Sequence, residues 1–154
     1  MDTNTQALIA LLHPKLREEA TTLVNEINQS FPTGVQMRIT STLRTFDEQT
    51  KLFNQGRTTP GAIITNSKAG QSFHNYNLAL DYNLNINGKT SWAVDTNWMH
   101  VANTFKKAGY TFGGDWIGFK DHSHLEKTFG YTWEALLLLH NAGDFISGST
   151  YLNI

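Results

Sequence analysis

The strongest constraint on the fold is a stretch, Leu78–Ile86, in which apolar and polar side chains alternate and which runs directly into Asn87-Gly88. Alternation with a period of two is typical of a half-buried strand, and Asn-Gly is the dipeptide that most favours a tight hairpin turn. The sequence therefore predicts a strand that ends at Ile86. A second alternating stretch, Val35–Ile39, predicts another strand.

Apolar residues recur at helical spacing in the segments around these strands. The pattern over Leu16–Ile27 predicts an amphipathic helix with one face on the core. The pattern over 45–56 predicts a second helix, with Thr45 as its N-cap and Glu48 completing a capping box. Two further helices are predicted, over Trp98–Ala108 and Trp133–His140.

Length and charge bound the class of protein. With 154 residues, no repeat and no linker-like tract, the chain is predicted to form a single α+β domain over residues 1–154. The net charge of −1 provides no field that attracts nucleic acid. No apolar run approaches the roughly 18–20 residues of a membrane span, and the N-terminus lacks the pattern of a signal peptide. We expect a monomer with no nucleic-acid or membrane partner.

The residue types limit what a catalytic site can contain. The chain has no cysteine, so any transition-metal site must use imidazole and carboxylate ligands. His74 and Asp81 lie seven residues apart, a spacing that lets a loop and the start of a strand present both groups to one ion. The histidines predicted to be structural are His13, His100 and His140.

The segment from Asp121 to Glu126 adds two imidazoles and two carboxylates. If it is extended, His122 and His124 point to the same face, and spacing does not choose between them as ligands. Asp121 and Glu126 compete in the same way for the role of base. A zinc site for hydrolysis needs about three protein ligands, an open position and a base, so these residues are sufficient in type but ambiguous in role.

Four separated elements together resemble a known family. They are Ser72-x-His74 followed by Asp81, Gly113-Gly-Asp-Trp116, Asp121-x-x-His124, and Ser41-Thr-Leu-Arg44 followed by Gln49. In this order they resemble the zinc peptidases that comprise D-alanyl-D-alanine carboxypeptidases and L-alanyl-D-glutamate endopeptidases. The endopeptidase branch, which includes phage endolysins, is the closer match, and the likeness extends to His13-Pro14 and to residues 151–154.

The resemblance implies an antiparallel sheet with helices packed on it and a zinc site at the sheet. It implies that Zn²⁺ is bound by His74, Asp81 and His124, and that Asp121 is the general base. By the same resemblance, Arg44 would polarise the scissile carbonyl and stabilise its oxyanion. The residues that would contact or position the substrate are Gln49, Ser72 and Trp116. Gln49 has a second possible role, which is to position Arg44.

The function that the resemblance implies is hydrolysis of the peptidoglycan stem peptide, most closely at the L-alanyl-D-glutamate bond. An alternative is a D-alanyl-D-alanine carboxypeptidase on the same scaffold, and another is a zinc module that binds peptides without cleaving them. Without an export signal, we expect the protein to reach the cell wall through a holin or a secretion device.

One position departs from the family pattern, because Asn77 stands where the family usually has glycine. Asparagine is the other residue type that tolerates positive φ well, so the local backbone can persist. Asp115 is expected either to orient a ligand histidine or to cap a turn. The aromatic residues that can form a wall for the substrate are Trp92, Phe112, Trp116 and Phe119.

Overall fold

The computed structural model describes residues 1–154. Two short 3-10 turns, Phe73–Tyr76 and Gly113–Asp115, interrupt the loops between the main elements. In chain order the helices and strands are α1 Thr3–Ala10, α2 Pro14–Ser30, β1 Val35–Ser41, α3 Phe46–Asn54, β2 Ala79–Ile86, β3 Lys89–Ser91, α4 Thr96–Lys107, β4 Thr111–Phe112, β5 His124–Glu126 and α5 Trp133–Asn141.

All five strands form one antiparallel sheet. Its order is β1-β2-β5-β4, with the short β3 paired to the end of β2 through the hairpin. Asn87 and Gly88 both have positive φ, +50° and +83°, as a two-residue turn of this kind requires. The antiparallel sheet with helices packed on it confirms the predicted α+β class.

The side chains of β2 alternate between the hydrophobic core and the opposite face of the sheet. Leu80, Tyr82 and Leu84 are fully buried in the main hydrophobic core. Because neighbouring side chains of a strand point to opposite faces, Asp81 lies on the other side of the sheet. The pairing register sets Asp81 opposite His124 of β5 and beside Ser41 at the end of β1.

The helices cover the apolar side of the sheet. Helices α1 and α2 pack against β1, and α4 packs against α2 and β4. The predicted helices over 16–27, 45–56, 98–108 and 133–140 are all confirmed, as is the capping box of Thr45 and Glu48. Helix α3 ends at Asn54, two residues before Gly56. None of the helices has both the length and the apolar character needed to cross a bilayer.

Helix α1 was not predicted from the sequence. Its buried residues are only Thr5 and Ile9, so it has no apolar stripe that periodicity could detect. The helix is held by polar contacts instead: Asp2 caps its first turn, and the Thr5 hydroxyl accepts a hydrogen bond from the Ile39 amide, 3.2 Å away. Such contacts with a distant strand are invisible to local pattern.

Candidate metal centre

The first candidate ligand, His74, lies on the 3-10 turn that leads into β2. Ser72 caps this turn, and its hydroxyl accepts a hydrogen bond from the His74 amide at 3.3 Å. Asn77 ends the turn in the left-handed conformation, with φ 62° and ψ 24°. Its side chain also donates to the Leu11 carbonyl at 2.6 Å, a contact that glycine could not make.

Three candidate ligand atoms converge at the sheet. His74 Nε2 lies 3.2 Å from Asp81 Oδ1 and 3.2 Å from His124 Nδ1, and the latter two atoms lie 3.5 Å apart. For bonds of 2.0–2.2 Å in a tetrahedral complex, ligand atoms are separated by about 3.3–3.6 Å. The triangle therefore has the dimensions that a four-coordinate metal ion requires.

In each histidine, the ring nitrogen that points away from the cluster donates to an acceptor, and this hydrogen bond fixes the tautomer of the ring. His74 Nδ1 lies 2.6 Å from the Thr42 carbonyl oxygen, and His124 Nε2 lies 2.7 Å from Glu126 Oε2. Each of these nitrogens carries a proton and donates, so the other nitrogen of each ring is the one available to bind a metal ion. His74 Nε2 and His124 Nδ1 both face the Asp81 carboxylate, and together these three groups are the donor set of a cation site.

The charges of the cluster also favour a cation. Burial by itself would raise the pKa of Asp81, but His74 and His124 hold that pKa far below its usual range. Burial opposes the protonation of His124, yet Asp81 and Glu126 outweigh it and raise its pKa to about 9. Without metal, the cluster thus holds a proton, which a metal ion would displace on binding.

Arg44 lies at the edge of the cluster, fixed by a buried glutamine. Its Nη1 donates to Gln49 Oε1 at 3.1 Å, and its Nη2 lies 3.7 Å from Asp81 Oδ2. Gln49 is fully buried and donates through Nε2 to the Ser67 carbonyl at 2.7 Å. Of the two roles considered for Gln49, the contact observed is with Arg44, since Gln49 does not line the cavity.

Asp121 lies in the turn that precedes β5. Its Oδ1 accepts hydrogen bonds from the Ser123 hydroxyl at 2.9 Å and from the Ser123 amide at 3.2 Å. Its own amide donates to the Gly113 carbonyl at 3.1 Å. A Cβ on Gly113 would collide with the Asp121 carbonyl oxygen, which explains the need for glycine there.

The same turn separates the two histidines that spacing left equivalent. The extended conformation begins only at His124, because His122 and Ser123 form the turn. His122 is exposed and lies beside Phe112, and its carbonyl accepts a hydrogen bond from the Trp98 indole at 2.8 Å. His122 and His124 therefore do not share a face.

A cavity of about 790 Å³ opens above the cluster. Its floor contains the three candidate ligands, and its walls include Arg44, Ser72 and Asp121. The Trp116 ring lies 5.0 Å from the His124 ring, centroid to centroid. The apolar residues at its walls and rim are Leu52, Ile63, Ile64, Trp92, Trp116 and Phe119.

Three residues make contacts other than those considered from the sequence. Phe112 does not form part of the wall, because β4 turns its side chain into the hydrophobic core. Asp115 pairs with Lys106 of α4 and does not orient a ligand histidine. Glu126, considered from the sequence only as a rival base, holds His124 instead. This contact could have been expected from the sequence, because residues two apart in a strand lie on the same face.

Comparisons with known proteins agree with this geometry. The family described as D-alanyl-D-alanine carboxypeptidase matches residues 65–127, which include the three candidate ligands. The chain is 36% identical over 124 residues to the peptidoglycan L-alanyl-D-glutamate endopeptidase CwlK of Bacillus subtilis (strain 168). That match covers 75% of this chain and 72% of CwlK.

Two further similarities point the same way. The chain is 33% identical over 103 residues to the L-alanyl-D-glutamate peptidase of Listeria phage A118, covering 64% of this chain but 33% of the phage protein. The crystal structure of the Serratia marcescens L-Ala D-Glu endopeptidase ChiX aligns with a TM-score of 0.58, over 84% of this chain and 90% of ChiX. At 20% identity, the ChiX match is a likeness of fold.

Proposed function

Because the chain belongs to the peptidase family of the D-alanyl-D-alanine carboxypeptidases and L-alanyl-D-glutamate endopeptidases, we propose that it is a zinc endopeptidase that cleaves the L-alanyl-D-glutamate bond of peptidoglycan stem peptides. The observation that carries the proposal is the convergence of two imidazole nitrogens and the Asp81 carboxylate, at the floor of a cavity that also contains Asp121 and Arg44.

His74, Asp81 and His124 are the proposed zinc ligands. Two neutral imidazoles and one carboxylate leave one position of a four-coordinate ion open, the arrangement of catalytic zinc sites. A zinc ion bound there supplies Lewis acidity, which polarises a carbonyl group and lowers the pKa of water to about 7. The second nitrogen of each ring is already bound to Thr42 or Glu126, so the ligands are pre-oriented.

Asp121 is the proposed general base. Its Oδ1 is occupied by the two hydrogen bonds from Ser123, which leaves Oδ2 to take the proton from the attacking water. The same carboxyl group then returns the proton to the amine that leaves. Ser123 acts here by holding the carboxylate in one orientation.

Arg44 is the proposed electrostatic partner of the scissile carbonyl. Its guanidinium is anchored on one side by Gln49, so the charge is positioned before the substrate binds. A donor aimed at a developing oxyanion contributes roughly 3–4 kcal/mol to catalysis when it is well placed. Ser72 supports the site through the His74 turn, and Trp116 with Trp92 and Phe119 provides an apolar wall for the peptide.

The likeness to a phage peptidase supports a proposed place of action. We propose that the protein acts as a monomer on the cell wall, which it reaches through a holin or a secretion device. Expression inside bacteria with and without a holin tests this: lysis in both cases would contradict the need for a release partner.

The decisive test of the reaction is digestion of purified peptidoglycan with and without a chelator, followed by mass identification of the products. We expect new amino termini at D-glutamate and no activity with the chelator. Release of free D-alanine would instead identify a carboxypeptidase, the activity named in the description of the family that matches residues 65–127.

The roles of individual residues are tested by substitution. Asp121→Ala should retain one zinc ion per chain and lose hydrolysis by at least about 10²-fold, the usual contribution of an acid–base group. His74→Ala should lose both zinc and hydrolysis. Asp115→Ala is the matched control, because that carboxylate is exposed and pairs with Lys106. An active Asp121→Ala enzyme would disprove the assignment of the base.

A further inference from the structure

One cation at the cavity has no part in the proposed chemistry. Lys120 lines the cavity next to Asp121, and its Nζ donates to the Gly114 carbonyl oxygen at 3.0 Å. It belongs to none of the ion pairs of the protein, whereas Arg44 faces Asp81 and Gln49. An ammonium group has three donors, so two of them remain for a ligand.

The loop that carries Lys120 is fastened at its base. The Asp121 amide donates to the Gly113 carbonyl at 3.1 Å, and the Trp116 amide donates to the same oxygen at 3.3 Å. The hydrogen bond from Lys120 to Gly114 crosses this loop. The ammonium group is therefore held at the wall of the cavity, on the segment that also presents Asp121 and Trp116.

The chemistry of the proposed substrate provides an anion at this place. A glutamyl residue that is joined to alanine through its amine and to the rest of the peptide through one carboxyl group keeps its other carboxyl group free. That free carboxylate lies within a few bonds of the scissile nitrogen. It belongs to the leaving side of the bond, the side that receives its proton from Asp121.

We propose that Lys120 binds the free carboxylate of the glutamyl residue and thereby makes the enzyme prefer glutamate over its amide at this position. The inference rests on the proposed function and adds a specificity determinant to it. The other cation of the cavity, Arg44, is held between Gln49 and Asp81 and is assigned to the scissile carbonyl. Lys120 is the cation that remains for recognition.

The test uses two synthetic stem peptides that differ only in this carboxyl group, which is free in one and amidated in the other. With zinc-loaded wild-type enzyme we expect kcat/KM to be about fivefold higher for the carboxylate peptide, mostly through KM, since a partly exposed charged hydrogen bond contributes on this scale. Lys120→Gln should reduce that ratio to near one, and Lys120→Glu should invert it.

Two comparisons distinguish recognition from a structural effect. Lys120→Arg keeps the charge and should retain the preference, while Lys89→Gln is a control at an exposed lysine of β3, away from the cavity. The preference should also weaken as salt is added, because an exposed ion pair is screened. A structural role of Lys120 would instead lower kcat/KM for both peptides alike in Lys120→Gln, and that result would overturn the inference.

The remaining outcomes separate this inference from the proposed function. Equal cleavage of both peptides by the wild type would overturn the role of Lys120 and leave the endopeptidase activity established. A preference that survives in Lys120→Gln would also overturn it and would transfer recognition to Arg44. Failure of the wild type to cleave either peptide would refute the proposed function, and the specificity inference with it.

Discussion

At the scale of single residues, the partner of His124 is the most informative finding. Glu126 accepts a hydrogen bond from His124 Nε2 at 2.7 Å, and this bond turns Nδ1 towards His74 and Asp81. A carboxylate that orients a ligand histidine also increases the basicity of the ring. We therefore propose that Glu126 contributes to metal affinity, a role that its carboxylate chemistry alone did not indicate.

We predict that Glu126→Gln lowers zinc affinity by about 10- to 100-fold, the usual effect of removing such a carboxylate. Competition with a chromophoric chelator measures the affinity directly. Glu134→Gln is the matched control, since Glu134 is exposed on α5. Unchanged zinc affinity with loss of hydrolysis would make Glu126, and not Asp121, the stronger candidate for the base.

Asn77 combines two properties in one residue, a left-handed backbone and a side-chain hydrogen bond to Leu11. Both Asn77→Gly and Asn77→Ala lose the hydrogen bond, but only alanine resists the positive φ. We therefore predict that Asn77→Ala is less stable than Asn77→Gly by about 1 kcal/mol in urea unfolding. Equal stability of the two variants would show that the backbone conformation is of little consequence there.

At the scale of elements, the sheet register places the candidate ligands. Asp81 of β2 pairs with His124 of β5, and the turn before β2 returns His74 to the same place. A slip of one residue in β2 would turn Asp81 into the core, because the side-chain period of a strand is two. The buried Leu80 and Tyr82 on either side of it prevent such a slip.

Helix α3 is the element that holds Arg44, through Gln49. Its N-terminus depends on the capping box of Thr45 and Glu48. We predict that Thr45→Ala lowers the free energy of unfolding by about 1 kcal/mol. Thr50→Ala, within the same helix and exposed, should have little effect or stabilise slightly, because alanine is the better helix former. Equal destabilisation by both would show that the cap does not matter.

At the scale of the whole molecule, the candidate ligands come from segments that only the native fold brings together. Metal that binds the folded state stabilises it by about 2.7 kcal/mol at 100 times the dissociation constant. We predict that zinc raises the melting temperature and that a chelator reverses the increase. His124→Ala should abolish the shift, and the exposed His122→Ala should retain it. A shift that is lost in His122→Ala and retained in His124→Ala would make His122, and not His124, the metal ligand.

The C-terminal segment is tied to the N-terminal half through His13. The ring caps α2, accepting from the Lys15 amide through Nδ1 at 3.3 Å, and donates through Nε2 to the Leu152 carbonyl at 2.9 Å. Burial lowers the pKa of His13 below its ordinary value of 6.5, although the bond to Leu152 opposes this. A proton on Nδ1 would face an N–H group and could not be accommodated.

This arrangement predicts a pH dependence with a definite sign. Below about pH 6.5 the unfolded chain binds a proton at His13 that the folded chain does not. The contribution of His13 to the free energy of unfolding is therefore complete above that pH and is lost as the pH falls. The difference in melting temperature between the wild type and His13→Gln, measured without metal, should therefore narrow from pH 8 to pH 5. A constant difference would contradict the neutral ring.

The hydrophobic core supports the proposal that residues 1–154 fold as one unit. It contains 25 buried residues and extends from Ile9 near one terminus to Leu152 near the other. Calorimetry of the metal-free protein should then show a single unfolding transition. Two transitions would contradict a single domain.

The sequence by itself determined the two long strands, most of the helices and the kinds of ligand that a metal could have. Alternation in Leu78–Ile86, the capping box of Thr45 and the absence of cysteine are local or compositional properties, so they can be read before folding. The family likeness selected His124 and Asp121, which spacing left paired with His122 and Glu126.

Only the tertiary structure decided which of these side chains meet. The turn at His122 and Ser123, the hydrogen bond of Glu126 to His124 and the pairing of Asp115 with Lys106 all depend on groups that backbone pairing and packing bring into contact. Helix α1 follows the same rule, since Thr5 is held by Ile39 of a strand far along the chain. Local pattern reports the preference of a segment, but the partner of each polar group is set by where the rest of the chain places it.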